Sequence, residues 1–187
     1  MILSFELSLV LIALLGLGVW GIVSGLRLSA KPQARAITPQ ELSSLAQPFK
    51  NLLGEAVSIY KDVKSQADNS PRAIRKELED LSFRIGNLTN RALPRARHGT
   101  SLAEYLLGLE PNEAQYQTTL AAKQEVENEL KEFVENLKIM RGKVYHVLTE
   151  ATSLQKDSYL SRDLDDALIE ISALESAFAE LDDELKL

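Results

Sequence analysis

The stretch VENELKEFVENLKIMRGKVYHVLTEATSL, residues 126–154, indicates the kind of fold that this chain adopts. Its apolar residues recur at alternating steps of three and four, the heptad pattern of a helix that packs against other helices. These positions are Val126, Leu130, Phe133, Leu137, Met140, Val144, Val147, Ala151 and Leu154. The same register continues upstream more weakly, so we predict one long helix from about Asn112 to Leu154.

Three further segments carry the same pattern. The first begins at Thr38-Pro39-Gln40-Glu41, a capping box with proline at the first helical position. It runs to about Ala67, and Pro48 is expected to kink or restart it. Its seam is Leu42, Leu45, Phe49, Leu52, Ala56, Ile59 and Val63.

The second segment starts after Ser70-Pro71 and places Ile74, Leu78, Leu81, Ile85, Leu88 and Ala92 on one seam. We predict that it ends at Pro94 in a basic loop, followed by a short helix over residues 101–109. The last segment carries a seam from Leu160 to Leu185. Short turns at residues 68–70 and 155–158 favour an antiparallel bundle of about four long helices within one chain. Heptads that pair between chains remain the alternative.

Composition excludes several classes of protein. The chain has no cysteine and two histidines, which removes disulfide scaffolds, thiolate metal sites and thiol catalysis. His98 and His146 each follow a basic residue at the third preceding position, so the Glu-x-x-His motif of carboxylate-bridged metal sites is absent. We expect His146 to pair with Glu150 one turn later. The sequence predicts no catalytic residue, cofactor, metal or small-molecule substrate.

The N-terminal residues predict a membrane anchor. Leu7–Leu26 contains no charged residue, and as a helix it would span roughly 30 Å, the thickness of a bilayer core. Residues 1–28 are therefore a short tail and a transmembrane helix, residues 29–37 a juxtamembrane linker, and residues 38–187 a soluble bundle. A cleaved signal peptide is disfavoured, because no Lys or Arg precedes the apolar run.

The flanks of the span predict its orientation. Arg27, Lys31 and Arg35 follow it, which places the bundle in the cytoplasm of a single-pass cell-membrane protein. Trp20 would lie near the inner interface. Gly21 and Gly25 form a small-xxx-small pair through which two spans could associate.

Charge is distributed unevenly along the chain. Residues 27–97 contain thirteen Lys and Arg against seven Asp and Glu, whereas residues 98–187 contain eight against nineteen. Either basic and acidic helices pack beside each other, or the basic half rests on anionic lipid. An acidic chain without a basic stripe does not indicate nucleic-acid binding.

These features predict a non-catalytic scaffold that binds a protein partner or assembles with itself at the membrane. The predicted partner surface is acidic: Glu125, Glu129, Glu132, Asp163 and Asp166. A lipid-surface sensor that uses the basic half is one alternative, and an accessory subunit of a membrane complex is another.

Overall fold

The computed structural model describes the backbone of residues 35–112, 114–152 and 157–184, and the side chains of residues 35–112, 114–150 and 164–179. The described residues form five helices and no strand. The helices are α1 (Pro39–Ser43), α2 (Phe49–Asn69), α3 (Arg72–Leu106), α4 (Ala114–Thr152) and α5 (Asp157–Glu184). The predicted all-α fold with helical-bundle packing is confirmed.

The first helical segment starts where its sequence predicts and restarts after Pro48. The Thr38 hydroxyl accepts from the backbone N–H of Glu41 at 3.2 Å, and the Glu41 carboxylate accepts from the Thr38 N–H at 2.9 Å, a complete capping box. The hydrogen bond from the Thr38 backbone N–H lowers the pKa of the Glu41 carboxyl most, and a further bond donated by the Thr38 hydroxyl to the same carboxylate also lowers it. α1 ends at Ser43, and α2 starts directly after Pro48. The predicted restart at Pro48 is confirmed.

The predicted end of the second helix at Pro94 is wrong. α3 is continuous from Arg72 to Leu106 and contains Pro94 in its interior, so the expected basic loop and separate short helix do not exist. Ala92, Ala96 and Gly99 continue the three-four spacing past the proline, and all three residues are buried. Packing of this face offsets the free energy lost because proline cannot donate a backbone hydrogen bond.

Cross-helix contacts show the direction of the helices. Lys143 of α4 pairs with Glu170 at the middle of α5, whereas Phe133, earlier in α4, packs against Phe178, later in α5. α4 and α5 are therefore antiparallel. α3 and α4 form the central pair, each in contact with both α2 and α5, while α2 and α5 do not touch along their described lengths.

The core follows the heptad seams. Every predicted apolar position of α3 from Ile74 to Ala92 is buried, as is every one of α4 from Val126 to Val147. In the first segment Leu42 and Leu52 are only partly buried. Additional core residues flank the seams, because α2, α3 and α4 each contact more than one neighbouring helix. These residues are Leu53, Val57, Leu93 and Val134.

Residues 35–46 form a strap along α3. The backbone carbonyl of Arg35 accepts from the Asn90 side chain at 2.7 Å, and the Ala46 N–H donates to the Thr100 hydroxyl at 3.1 Å. Ile37 within the strap is buried. The end of the predicted linker, residues 35–37, thus lies on the bundle, and the strap follows α3 in the same chain direction.

The predicted membrane span and its surroundings cannot be placed on this fold. Leu7–Leu26, with Trp20, Gly21 and Gly25, lies outside the described residues, as do Arg27 and Lys31. Within the described ranges, no helix combines the length and the apolar character needed to cross a bilayer.

Candidate binding cleft

A cleft of about 130 Å³ lies where α3, α4 and α5 meet. Its exposed lining residues are Glu132 on α4 and Ala177 on α5, so it opens along the groove between these two helices. An engineered apolar cavity of about 150 Å³ can hold one benzene molecule. The cleft is therefore the size of a single side chain. Its lining is Arg95, Glu129, Leu130, Glu132, Phe133, Asn136, Leu174, Ala177 and Phe178.

The floor of the cleft is apolar. Phe133 and Phe178 contact each other edge to face, with ring centroids 5.0 Å apart and an interplanar angle of 71°. Leu130 is buried, and Leu174 packs against the core from its half-buried position. All four occupy heptad positions of α4 or α5, so the same pattern that joins the helices also lines the cleft. An edge-to-face aromatic pair resists displacement from this arrangement.

A buried ion pair closes the inner end. Arg95 comes from α3, one residue after Pro94, and its side chain is only 8% exposed. Its Nε lies 3.3 Å from Oε2 of Glu129, and its Nη2 donates to Oε1 of the same carboxylate at 3.3 Å. Removing a guanidinium from water costs several kcal/mol, and the facing carboxylate offsets that cost. Arg95 can therefore remain buried only with an acidic partner.

The lining carries more negative than positive charge. Arg95 is its one cation, and Glu129 and Glu132 are its two carboxylates. Glu129 faces Arg95, whereas Glu132 is exposed at the mouth. The amide of Asn136 supplies both a donor and an acceptor. The cleft thus combines an apolar floor with a mouth of negative charge.

The structure brings part of the predicted partner surface to this cleft. Glu129 and Glu132 line it, and the exposed Glu125 lies one turn before Glu129 on α4. Asp166 is exposed on α5 but lies about 18 Å along the helix from Phe178. The side chain of Asp163 lies outside the described residues.

Ion pairs join the basic and acidic halves of the chain. Arg84 of α3 binds Glu175 of α5 with an N–O distance of 2.6 Å and donates to the hydroxyl of Ser172. The hydrogen bond from Arg84 holds the pKa of Glu175 below its usual value. The pair formed by Arg95 and Glu129 likewise joins the basic half of the chain to the acidic half. Both pairs favour the interpretation that basic and acidic helices pack together.

Arg35, predicted as part of the basic juxtamembrane cluster, has an acidic partner. Its guanidinium lies 2.7 Å from the Glu41 carboxylate, and Arg97 of α3 approaches the same oxygen at 3.3 Å. Glu41 therefore links the strap to α3. The Arg35 side chain remains 73% exposed, so a second contact is still open to it.

Both histidines are exposed on the surface of the bundle. His146 lies 3.5 Å from Glu150 one turn later, as predicted, and His98 is exposed on α3. Over the side chains that the structure describes, no three His, Asp or Glu residues are grouped to hold a metal ion.

Sequence reasoning missed Arg95, which it placed in a solvated loop. The spacing of Ala92, Ala96, Gly99 and Ala103 contained the signal that the helix continues, because these small residues extend the seam of α3 beyond Pro94.

No protein-family model, curated protein or solved structure matches the chain.

Proposed function

We propose that this chain is a non-catalytic interaction protein that is anchored in the membrane and binds a protein partner along the groove between α4 and α5. One observation carries the proposal. The groove holds a side-chain-sized cleft with an aromatic floor, and two residues of the predicted partner surface, Glu129 and Glu132, lie at it. Interfaces commonly seat one anchor side chain in a desolvated pocket with a polar rim.

The membrane part of the proposal rests on the sequence of Leu7–Leu26. A run of twenty residues without charge has the length and hydropathy of a single span. Arg27 and Lys31 after the run favour a cytoplasmic bundle at the cell membrane. In this arrangement Gly21 and Gly25 would allow two spans to approach each other.

Photo-crosslinking in native membranes tests the proposed face. A benzoylphenylalanine placed at Ala177 of the full-length chain samples the mouth of the cleft, and one placed at Ser58, exposed on α2, provides the control. We expect a discrete crosslinked product from position 177 that position 58 does not give. Equal labelling at the two positions, or none at 177, would contradict the proposal.

The same experiment separates a partner from self-assembly. Mass spectrometry of the product identifies either another protein or a second copy of this chain. A product that contains a subunit of a membrane complex would make this chain an accessory subunit, the third possibility raised by the sequence.

The lipid-surface alternative has less support. Arg84 and Arg95 of the basic half bind Glu175 and Glu129 rather than face outward. Exposed cations such as Lys61 and Lys76 remain available to lipid headgroups. Salt-sensitive binding of residues 31–187 to anionic liposomes would favour this alternative, and absence of binding at low salt would remove it.

A further inference from the structure

We propose that the cleft between α4 and α5 receives the side chain of a lysine or arginine carried on a basic amphipathic helix of the partner. This inference rests on the proposed function, because it specifies the chemistry of the partner at the same site. It follows from the volume of the cleft, from its lining and from its charge.

The volume and the lining of the cleft require an occupant side chain with an apolar stem. The cleft has room for one side chain, and its floor of Phe133, Phe178 and Leu130 offers no hydrogen-bonding group. Lysine and arginine have three or four methylene groups that pack along apolar surface while the charged head stays near water.

Charge decides between a cationic and an anionic occupant. Arg95 could in principle attract an anion, but the Glu129 carboxylate already lies 3.3 Å from it. The remaining charge at the mouth is Glu132, which would repel an anion and attract a cation. The head of a lysine or arginine would therefore lie beside Glu132, with the Asn136 side chain as a neighbouring acceptor.

The surroundings of the mouth favour a helix as the carrier. On α5, Ala173 and Ala177 are both exposed and lie one turn apart, so no large side chain blocks a helix laid along the groove. On α4, the exposed Glu125 extends the negative charge beyond the cleft. A second basic residue two turns from the first on the partner helix would reach Glu125.

A titration with small probes tests the chemistry of the cleft directly. The full-length chain, labelled with 4-fluorophenylalanine and held in phosphatidylcholine nanodiscs, is titrated with propylguanidine and butylamine, which copy the two cationic side chains. Pentanoate supplies the same stem with a negative head. We expect the cations to shift the ¹⁹F signals of Phe133 and Phe178 and to bind at least about tenfold more tightly than pentanoate, since a like charge opposes the anion.

Matched variants assign the preference to Glu132. Glu132→Gln should reduce the cation preference several-fold without changing the fold, because the side chain is exposed. Glu77→Gln, exposed on α3 and outside the cleft, should leave it unchanged. Equal affinity for pentanoate and the cations, or the same preference in Glu132→Gln, would overturn the proposal. Crosslinking from position 177 detects a partner independently of the probe titration. Failure of the titration would therefore overturn the cationic occupant without contradicting the proposed interaction face.

Discussion

The aromatic ring of Phe49, at the start of α2, lies directly against Gly99 of α3. A Cβ atom at position 99 would overlap the ring, and Phe49 itself is fully buried. The absence of a side chain at residue 99 therefore permits the close approach of the two helices at this end of the bundle.

Replacing Gly99 by alanine should destabilise the protein. Overpacking a full core costs about 1–3 kcal/mol, which exceeds the gain of up to about 1 kcal/mol in helix propensity. We expect a lower midpoint of urea unfolding, followed by circular dichroism of the full-length chain. Gly142→Ala is the matched control, because nothing lies within 4 Å of its Cβ position. It should raise the midpoint, and a fall in both variants would contradict the packing argument.

Replacing Pro94 by alanine should stabilise the bundle. Pro94 lies inside α3 with its ring exposed, and it cannot donate to the carbonyl four residues earlier. Alanine restores that donor without removing a core contact, and we expect a gain of about 1–3 kcal/mol in the free energy of unfolding. Thermal unfolding provides the measurement. A lower melting temperature would show that the proline has a favourable role in the packing of α3.

The pair formed by Arg95 and Glu129 should show strong coupling. Glu129→Leu removes the negative charge that faces a buried guanidinium and should cost about 3 kcal/mol. The double replacement Arg95→Met with Glu129→Leu should recover most of this loss, because the buried guanidinium is removed together with its partner. A double-mutant cycle on the unfolding free energies measures the coupling. Additive losses would mean that the two side chains act independently.

The pair formed by Arg84 and Glu175 should appear in the pH dependence of stability. Arg84 lowers the pKa of Glu175 in the folded state below its usual value near 4.5. The contribution of this ion pair to the free energy of unfolding is therefore fully present above pH 4.5 and is lost as the pH falls through the pKa of Glu175 in the folded state. We expect Glu175→Gln to be about 1 kcal/mol less stable at pH 7, a modest loss because the carboxylate is 34% exposed.

Unfolding measured from pH 3 to pH 7 tests this expectation. The difference between wild type and Glu175→Gln should shrink towards acid pH, because protonation removes the charge that the variant lacks. Glu77→Gln, exposed at another part of α3, serves as the control and should follow the wild-type curve. A constant difference across the range would argue against the ion pair as its origin.

The fold was largely predictable because its core follows one periodicity. The step of three and four residues identified the buried positions of α3 and α4 and the bounds of α4 to within two residues. The capping box at Thr38 and the restart at Pro48 were equally local, since each depends on a few adjacent residues. Local signals of this kind need no knowledge of what packs against them.

The prediction at Pro94 was wrong because a local rule competed with tertiary packing. A proline ends an isolated helix, but α3 is held by neighbours on three sides, and burial of Ala96 and Gly99 keeps it continuous. The position of Arg95 depends on the same continuation. Charged residues are rarely buried, so an arginine inside the bundle could be predicted only together with its partner Glu129, thirty-four residues away in sequence.

The strap along α3 determines how the bundle would respond to tension. A pull on the chain at Arg35 acts on the flank of the bundle, where the Asn90 hydrogen bond, the buried Ile37 and the Glu41 pairs follow one another along α3. When the force is directed along α3, these contacts share the load in shear instead of opening one after another like a zipper. A load applied at Arg35 would therefore be shared by several contacts between residues 35–46 and α3.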